Sequence, residues 1–157
     1  MNIAFELNGK PTNIEIEPRE TLAEVLRARC RLTGVKISCE VQVCGSCTVL
    51  VDGLPVSACT YLAYEVRSRR VTTIEGLADE SGRLHPLQQA FLDNFAFQCG
   101  FCTPGMILAA KALLDEGTEP TEREIIAHMN GNLCRCTGYR PILEAIRQAS
   151  LQMRGHE

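Results

Sequence analysis

Residues 39–53 read CEVQVCGSCTVLVDG and set three cysteines in the spacing C-x4-C-x2-C. Cys59 completes a first set of four after eleven intervening residues. A second set lies in residues 98–106, QCGFCTPGM, and residues 132–142, NLCRCTGYRPI. Eight of the nine cysteines in this 157-residue chain therefore fall into two sets of four. The first set is Cys39, Cys44, Cys47 and Cys59, and the second set is Cys99, Cys102, Cys134 and Cys136.

The rest of the composition is that of an ordinary globular protein. Apolar residues make up 45% and charged residues 22%, and a net charge of −3 is too balanced for a nucleic-acid binder. No apolar run approaches the roughly 18 residues of a membrane span. Residues 1–10, MNIAFELNGK, lack the basic and apolar regions of a signal peptide. We therefore expect a reducing, cytoplasmic location, where clustered cysteines indicate metal or redox chemistry.

Four thiolates are what one [2Fe–2S] centre requires, and C-x4-C-x2-C is the plant-type ferredoxin spacing. The first set therefore favours iron–sulfur over zinc, because structural zinc sites are typically built from two short knuckles. The second set, taken alone, fits either metal. Cys30 belongs to neither set, and we expect it to be a small buried apolar side chain. Gly45 and Gly100 leave room between cysteines for backbone N–H groups to point at cluster sulfurs.

The first half of the chain predicts a small α+β unit. Alternating apolar residues on both sides of Asn8-Gly9 indicate one β-hairpin, and Asp52-Gly53 marks a second. Thr21 and Glu24 form a capping box at the start of a helix. A further strand is expected near residues 70–74.

The second half predicts only helices, because apolar positions recur at helical spacing behind caps or prolines. Four short helices are expected, and together they form a small bundle. They begin at Pro86 (running toward Gln98), at Pro104 with Thr103 as its cap, after Thr121 and at Pro141. The predicted organisation is a domain over residues 1–76, a polar linker over 77–84 and a helical domain over 85–157. One cysteine set falls in each domain.

The sequence contains no glycine-rich phosphate loop and no arrangement of a nucleophile with its base. We therefore assign no catalytic residue, and we do not expect this chain alone to turn over an organic substrate.

The three cysteine-bearing stretches together resemble the iron–sulfur subunit of molybdenum hydroxylases, the xanthine dehydrogenase family. The resemblance covers nearly the whole chain. It implies a β-grasp, plant-type ferredoxin-like domain followed by a four-helix-bundle domain, with each cysteine set ligating one [2Fe–2S] cluster. It also implies that Gln98 contacts a molybdopterin in another subunit. Gln42 and Ser46 stand where many members carry Gly and Ala, and neither departure removes a ligand.

The function that this resemblance implies is electron transfer within a molybdenum hydroxylase complex. Electrons would pass from the molybdopterin of a large subunit through the two clusters to FAD in a medium subunit, or to another acceptor. The expected assembly is a heterotrimer or its dimer. A stand-alone ferredoxin-like carrier is the first alternative, although a diffusing carrier needs no helical domain. A zinc-stabilised interaction module is the second.

Overall fold

The computed structural model describes residues 1–117 and 119–154. Its first half is built on a mixed five-stranded sheet in the order β2-β1-β5-β3-β4. Neighbouring strands run antiparallel except β1 and β5, which are parallel. The strands are β1 (Asn2–Leu7), β2 (Lys10–Glu15), β3 (Thr48–Val51), β4 (Leu54–Ser57) and β5 (Arg70–Thr72).

Both predicted hairpins are present, and the backbone conformation of their turn residues explains why they form. Asn8 and Gly9 have φ values of 51° and 76°, and Asp52 and Gly53 have 51° and 85°. Two consecutive left-handed residues match the right-handed twist of the flanking strands, which is why Asn-Gly and Asp-Gly are favoured there.

One helical segment packs on this sheet. It begins as α1 (Leu22–Glu24), with the predicted capping box between Thr21 and Glu24, and continues into a π-helical turn at Val25–Arg29. The Cys30 amide donates to the Val25 carbonyl at 3.1 Å, one residue further back than in an α-helix. Leu22, Val25 and other apolar side chains of this segment are buried against the sheet.

The second half contains the four predicted helices, and each begins within one residue of its predicted start. The first is shorter than predicted: it ends at Asp93, because Asn94 turns its side-chain amide back to the Ala90 carbonyl at 2.8 Å and Phe95 is left-handed, with a φ of 50°. The helices are α2 (Pro86–Asp93), α3 (Thr103–Leu114), α4 (Glu122–Met129) and α5 (Arg140–Arg154).

Helix α3 joins the two halves. Most of its length is buried, because one side packs on α2 and α4 and another on β3. Leu108 and Ala112 of α3 form a small apolar cluster with Leu50 of β3. The predicted bounds 1–76, 77–84 and 85–157 remain a prediction, and residues 118 and 155–157 of the last one lie outside the described part of the chain.

No helix within residues 1–117 and 119–154 has both the length and the apolar character needed to cross a bilayer.

The core of the second half gives a stability test at Ile146, a fully buried residue of α5. Ile146→Ala removes buried methyl groups and leaves a cavity, which costs about 2–5 kcal/mol. The melting temperature should therefore fall by roughly 4–20 °C in calorimetry. Leu151→Ala on the same helix is the control, since Leu151 is 55% exposed. An equal loss in both variants would contradict the assigned core.

Candidate iron–sulfur centres

The first set of cysteines begins on the loop that leads into β3. Glu40 and Gln42 have left-handed backbones there, with φ values of 58° and 60°. These turns aim the amides of Val43 and Cys44 at the sulfur of Cys39, each at an N–S distance of 3.4 Å. Backbone hydrogen bonds favour the charged thiolate, and they lower the pKa of Cys39 to about 6.

The left-handed backbone at Gln42 gives a physical reason why glycine suits this position. An L-residue with φ near 60° brings its Cβ close to the following carbonyl oxygen. The Gln42 side chain folds toward Thr60, whose hydroxyl donates to its Oε1 at 3.4 Å.

The hairpin of β3 and β4 brings the other two cysteines of the first set together. Thr48 stands opposite Ser57 in the antiparallel register. Cys47 precedes β3 and Cys59 follows β4, so both lie at the open end of the hairpin. Cys47 is only 2% exposed. Burial raises the pKa of its thiol to about 12, and the neighbouring Cys59 thiol adds to the effect.

The second set is gathered from two loops that are distant in sequence. Cys99 and Cys102 lie on the loop before α3, and Cys134 and Cys136 lie between α4 and α5. The sulfurs of Cys99 and Cys136 are 3.6 Å apart. Burial raises the pKa of the Cys102 thiol to about 12, and the neighbouring Cys134 thiol adds to the effect.

Two residues that the sequence analysis did not assign to the site support Cys134. The Thr137 hydroxyl lies 3.2 Å from the Cys134 sulfur, and the Thr137 amide donates to it at 3.5 Å. Burial raises the pKa of Cys134, but hydrogen bonds from Thr137, together with those of Cys136 and Cys102, outweigh burial and lower the pKa overall. The Cys134 amide donates to the Tyr139 hydroxyl at 3.0 Å. The spacing of Thr137 and Tyr139 behind C-x-C was the only signal that could have pointed to them.

Within each set the thiols influence one another in two pairs. The neighbouring thiol affects the pKa of Cys39 (from Cys44), of Cys47 (from Cys59) and of Cys102 (from Cys134), and the sulfurs of Cys99 and Cys136 are 3.6 Å apart. A [2Fe–2S] centre with four cysteines places two thiolates on each iron, so paired thiols fit it. A single zinc ion needs all its ligands around one point. Among the described residues, no group of three or more His, Cys, Asp or Glu side chains is placed to hold one metal ion.

A buried hydroxyl beside the second set supports the fit. Within the described part of the chain, Thr103 Oγ1 is buried with no hydrogen-bond partner. A buried donor without a partner costs free energy unless another group accepts a hydrogen bond from it. Thr103 follows Cys102 directly, so a cluster sulfur is the kind of acceptor this position offers.

Gln98 lies at the exposed face of the second set. Its side-chain amide donates to the Cys136 carbonyl at 3.2 Å and so ties the two cysteine loops together. Cys99 and Cys136 are exposed on the same face. Phe95 is 80% exposed and precedes Gln98 by three residues. The structure therefore leaves this edge of the second set open to solvent.

Cys30 belongs to neither set. It follows the π-helical turn and packs, partly buried, against the core of the first half. Burial raises the pKa of its thiol. This placement agrees with the predicted role of a small apolar side chain.

Comparison with known proteins gives two family matches, one for each cysteine set. Residues 5–77 match the 2Fe-2S iron-sulfur cluster binding domain, and residues 73–147 match the [2Fe-2S] binding domain. Both models describe [2Fe–2S] binding, so the prediction of two such centres is confirmed.

Individual relatives match over almost the whole chain. The nicotine 6-hydroxylase small subunit of Paenarthrobacter nicotinovorans is 46% identical, over 98% of this chain and 92% of its own length. The nicotinate dehydrogenase small FeS subunit of Eubacterium barkeri is 48% identical, over 95% of this chain and 94% of its own. In the crystal structure of quinoline 2-oxidoreductase from Pseudomonas putida 86, one chain is 44% identical, with a TM-score of 0.94. That match covers 100% of this chain and 98% of the other.

The support of Cys134 can be tested at Tyr139. Tyr139→Phe removes the acceptor of the Cys134 amide, and an unpaired buried N–H costs about 1–3 kcal/mol. The melting temperature should fall by roughly 2–12 °C, and a chelator should remove iron faster from the second set than from the first. Tyr64→Phe, at a half-buried tyrosine of the first half, is the matched control. Equal iron loss in both variants would contradict the role of Tyr139.

Proposed function

Because the chain belongs to the molybdenum hydroxylase family as one of its small iron–sulfur subunits, we propose which residues hold its clusters and how it is placed in its complex. Its function is electron transfer within an oxidoreductase complex. We propose that the partner subunits carry the molybdopterin and either FAD or another electron acceptor. We assign one cluster to Cys39, Cys44, Cys47 and Cys59, and the other to Cys99, Cys102, Cys134 and Cys136.

The observation that carries the assignment is the pairing of thiols at two separate places. Different parts of the fold carry these thiols. At the first place they lie on a tight loop and at the end of a hairpin, and at the second place they lie on the two loops that precede α3 and α5. Two pairs of thiols at each place support a cofactor that takes two thiolates per iron.

When bound, a [2Fe–2S] cluster takes up and releases one electron at a time, within a potential range that hydrogen bonds and solvent exposure adjust. The chain supplies hydrogen-bond donors for the negative charge. Backbone amides of Val43 and Cys44 point at the sulfur of Cys39, and Thr137 donates to that of Cys134. These donors favour the more negative, reduced form.

The exposed edge of the second set supports a placement against the large, molybdopterin-bearing subunit. There Gln98 is proposed to contact the pterin, and the surrounding apolar side chains, Phe95 and Phe101, would be covered by that subunit. The first set has its own exposed apolar rim at Val41 and Val43, which would face a medium FAD-binding subunit. The proposed assembly is a heterotrimer or its dimer, located in the cytoplasm.

Low-temperature EPR of the dithionite-reduced protein, purified with its accompanying subunits, tests this function. Two distinguishable S = ½ signals and about four iron atoms per chain are expected. A silent spectrum from a colourless preparation that contains zinc instead of iron would overturn the redox function.

The ligand assignment is tested at Cys134. Cys134→Ser should abolish the second cluster's EPR signal and keep the first, because serine does not replace the thiolate of a four-cysteine centre. Substrate-driven reduction of the flavin should then be lost, since the route from molybdenum is cut.

Cys30→Ser makes the same chemical change outside both sets and should leave both signals intact. Loss of an iron signal in that control, or substrate-driven flavin reduction that survives Cys134→Ser, would refute the assignment.

A further inference from the structure

Asn132 links the two cysteine-bearing regions although it belongs to neither set. It lies two residues before Cys134, and its side chain reaches the loop between Cys44 and Cys47. The Nδ2 atom donates to the Gly45 carbonyl at 3.0 Å and to Thr48 Oγ1 at 3.3 Å. Asn132 is 7% exposed, so these hydrogen bonds are made away from water.

The acceptors of Asn132 are themselves held in place. The Thr48 hydroxyl donates to the same Gly45 carbonyl at 2.8 Å, so the three residues form a closed hydrogen-bonded group. Next to it, the Leu133 amide donates to the Cys44 carbonyl at 2.9 Å. Hydrogen bonds therefore join a residue adjacent to Cys134 directly to the backbone of Cys44.

The atoms around Gly45 are packed too closely to admit a side chain. A Cβ atom on Gly45 would lie 2.5 Å from the Asn132 Nδ2 atom, and one on Gly105 of α3 would lie 2.3 Å from the Gly45 carbonyl oxygen. Both distances are too short for a side chain. The first-set loop thus rests directly on the start of α3 and on Asn132.

An amide suits this position. The Gly45 carbonyl is an acceptor only, so it can bind the N–H donor that asparagine provides and aspartate lacks. A shorter side chain would remove the donation that comes from the second-set region and leave the Gly45 carbonyl with donors from Thr48 alone.

We propose that Asn132 is a positioning residue that fixes the separation and orientation of the two cluster-binding segments, and thereby the coupling between the two clusters. The inference rests on the ligand assignment proposed above. It predicts that loss of the amide changes the relation between the clusters while each cluster keeps its own ligands.

The test uses Asn132→Asp in the intact complex. Two readouts are measured: the spin–spin splitting between the two reduced clusters in EPR, and hydrogen exchange of the Leu133 and Thr48 amides. We expect about four iron atoms per chain and unchanged g-values, with loss of the splitting. Exchange at both amides should become roughly tenfold faster, as for the loss of a typical buried hydrogen bond.

Asn130→Asp is the matched control, because Asn130 is exposed and only two residues away. If Asn132→Asp fails to retain iron, the splitting and the amide exchange are measured in Asn132→Ala, which adds no charge. Unchanged splitting and exchange in the Asn132 variants would overturn the inference, as would a wild-type complex with two signals and no splitting. A wild-type complex without two iron–sulfur signals would overturn the proposed function itself.

Discussion

A cluster-ligating thiolate needs hydrogen-bond donors close to its sulfur, and the backbone can supply them only where it turns sharply. This constraint explains the unusual backbone of the first loop, where Glu40 and Gln42 adopt left-handed conformations that glycine would adopt more easily. The chain also turns sharply at the second set, where the Thr137 amide donates to the Cys134 sulfur and the next two residues, Gly138 and Tyr139, are left-handed. The regular elements of the fold hold these turns in position.

Helix α3 carries most of that support. It begins directly after Cys102, and its buried length packs on β3, the strand that follows Cys47. A single rigid element therefore touches the surroundings of both cysteine sets. Because Gly105 lies against the Gly45 carbonyl, α3 holds the loop of the first set in place. The start of the same helix directly follows Cys102 of the second set.

The sequence predicted those features that depend on neighbouring residues. The Asn-Gly and Asp-Gly turns and the capping box of Thr21 with Glu24 are local, and all are confirmed. The end of α2 was predicted too late, because Asn94 caps the helix from a position where the pattern shows no break.

The π-helical turn and the junction at Asn132 could not be predicted for a different reason. The register of the π turn is set by packing on the sheet, and the partners of Asn132 lie 87 and 84 residues earlier in the chain. The spacing of residues within a motif predicts which of them bind the same group. It does not predict which residues of a distant motif will contact them in the folded chain.

That sequence separation has a consequence for the order of events during synthesis. The first loop leaves the ribosome long before Asn132 exists, and at 5–20 residues per second the delay is roughly 4–17 s. Throughout this interval the Gly45 carbonyl and the Thr48 hydroxyl are without the amide that later covers them. The two hydrogen bonds from Asn132 to this loop can therefore form only after residue 132 has been translated.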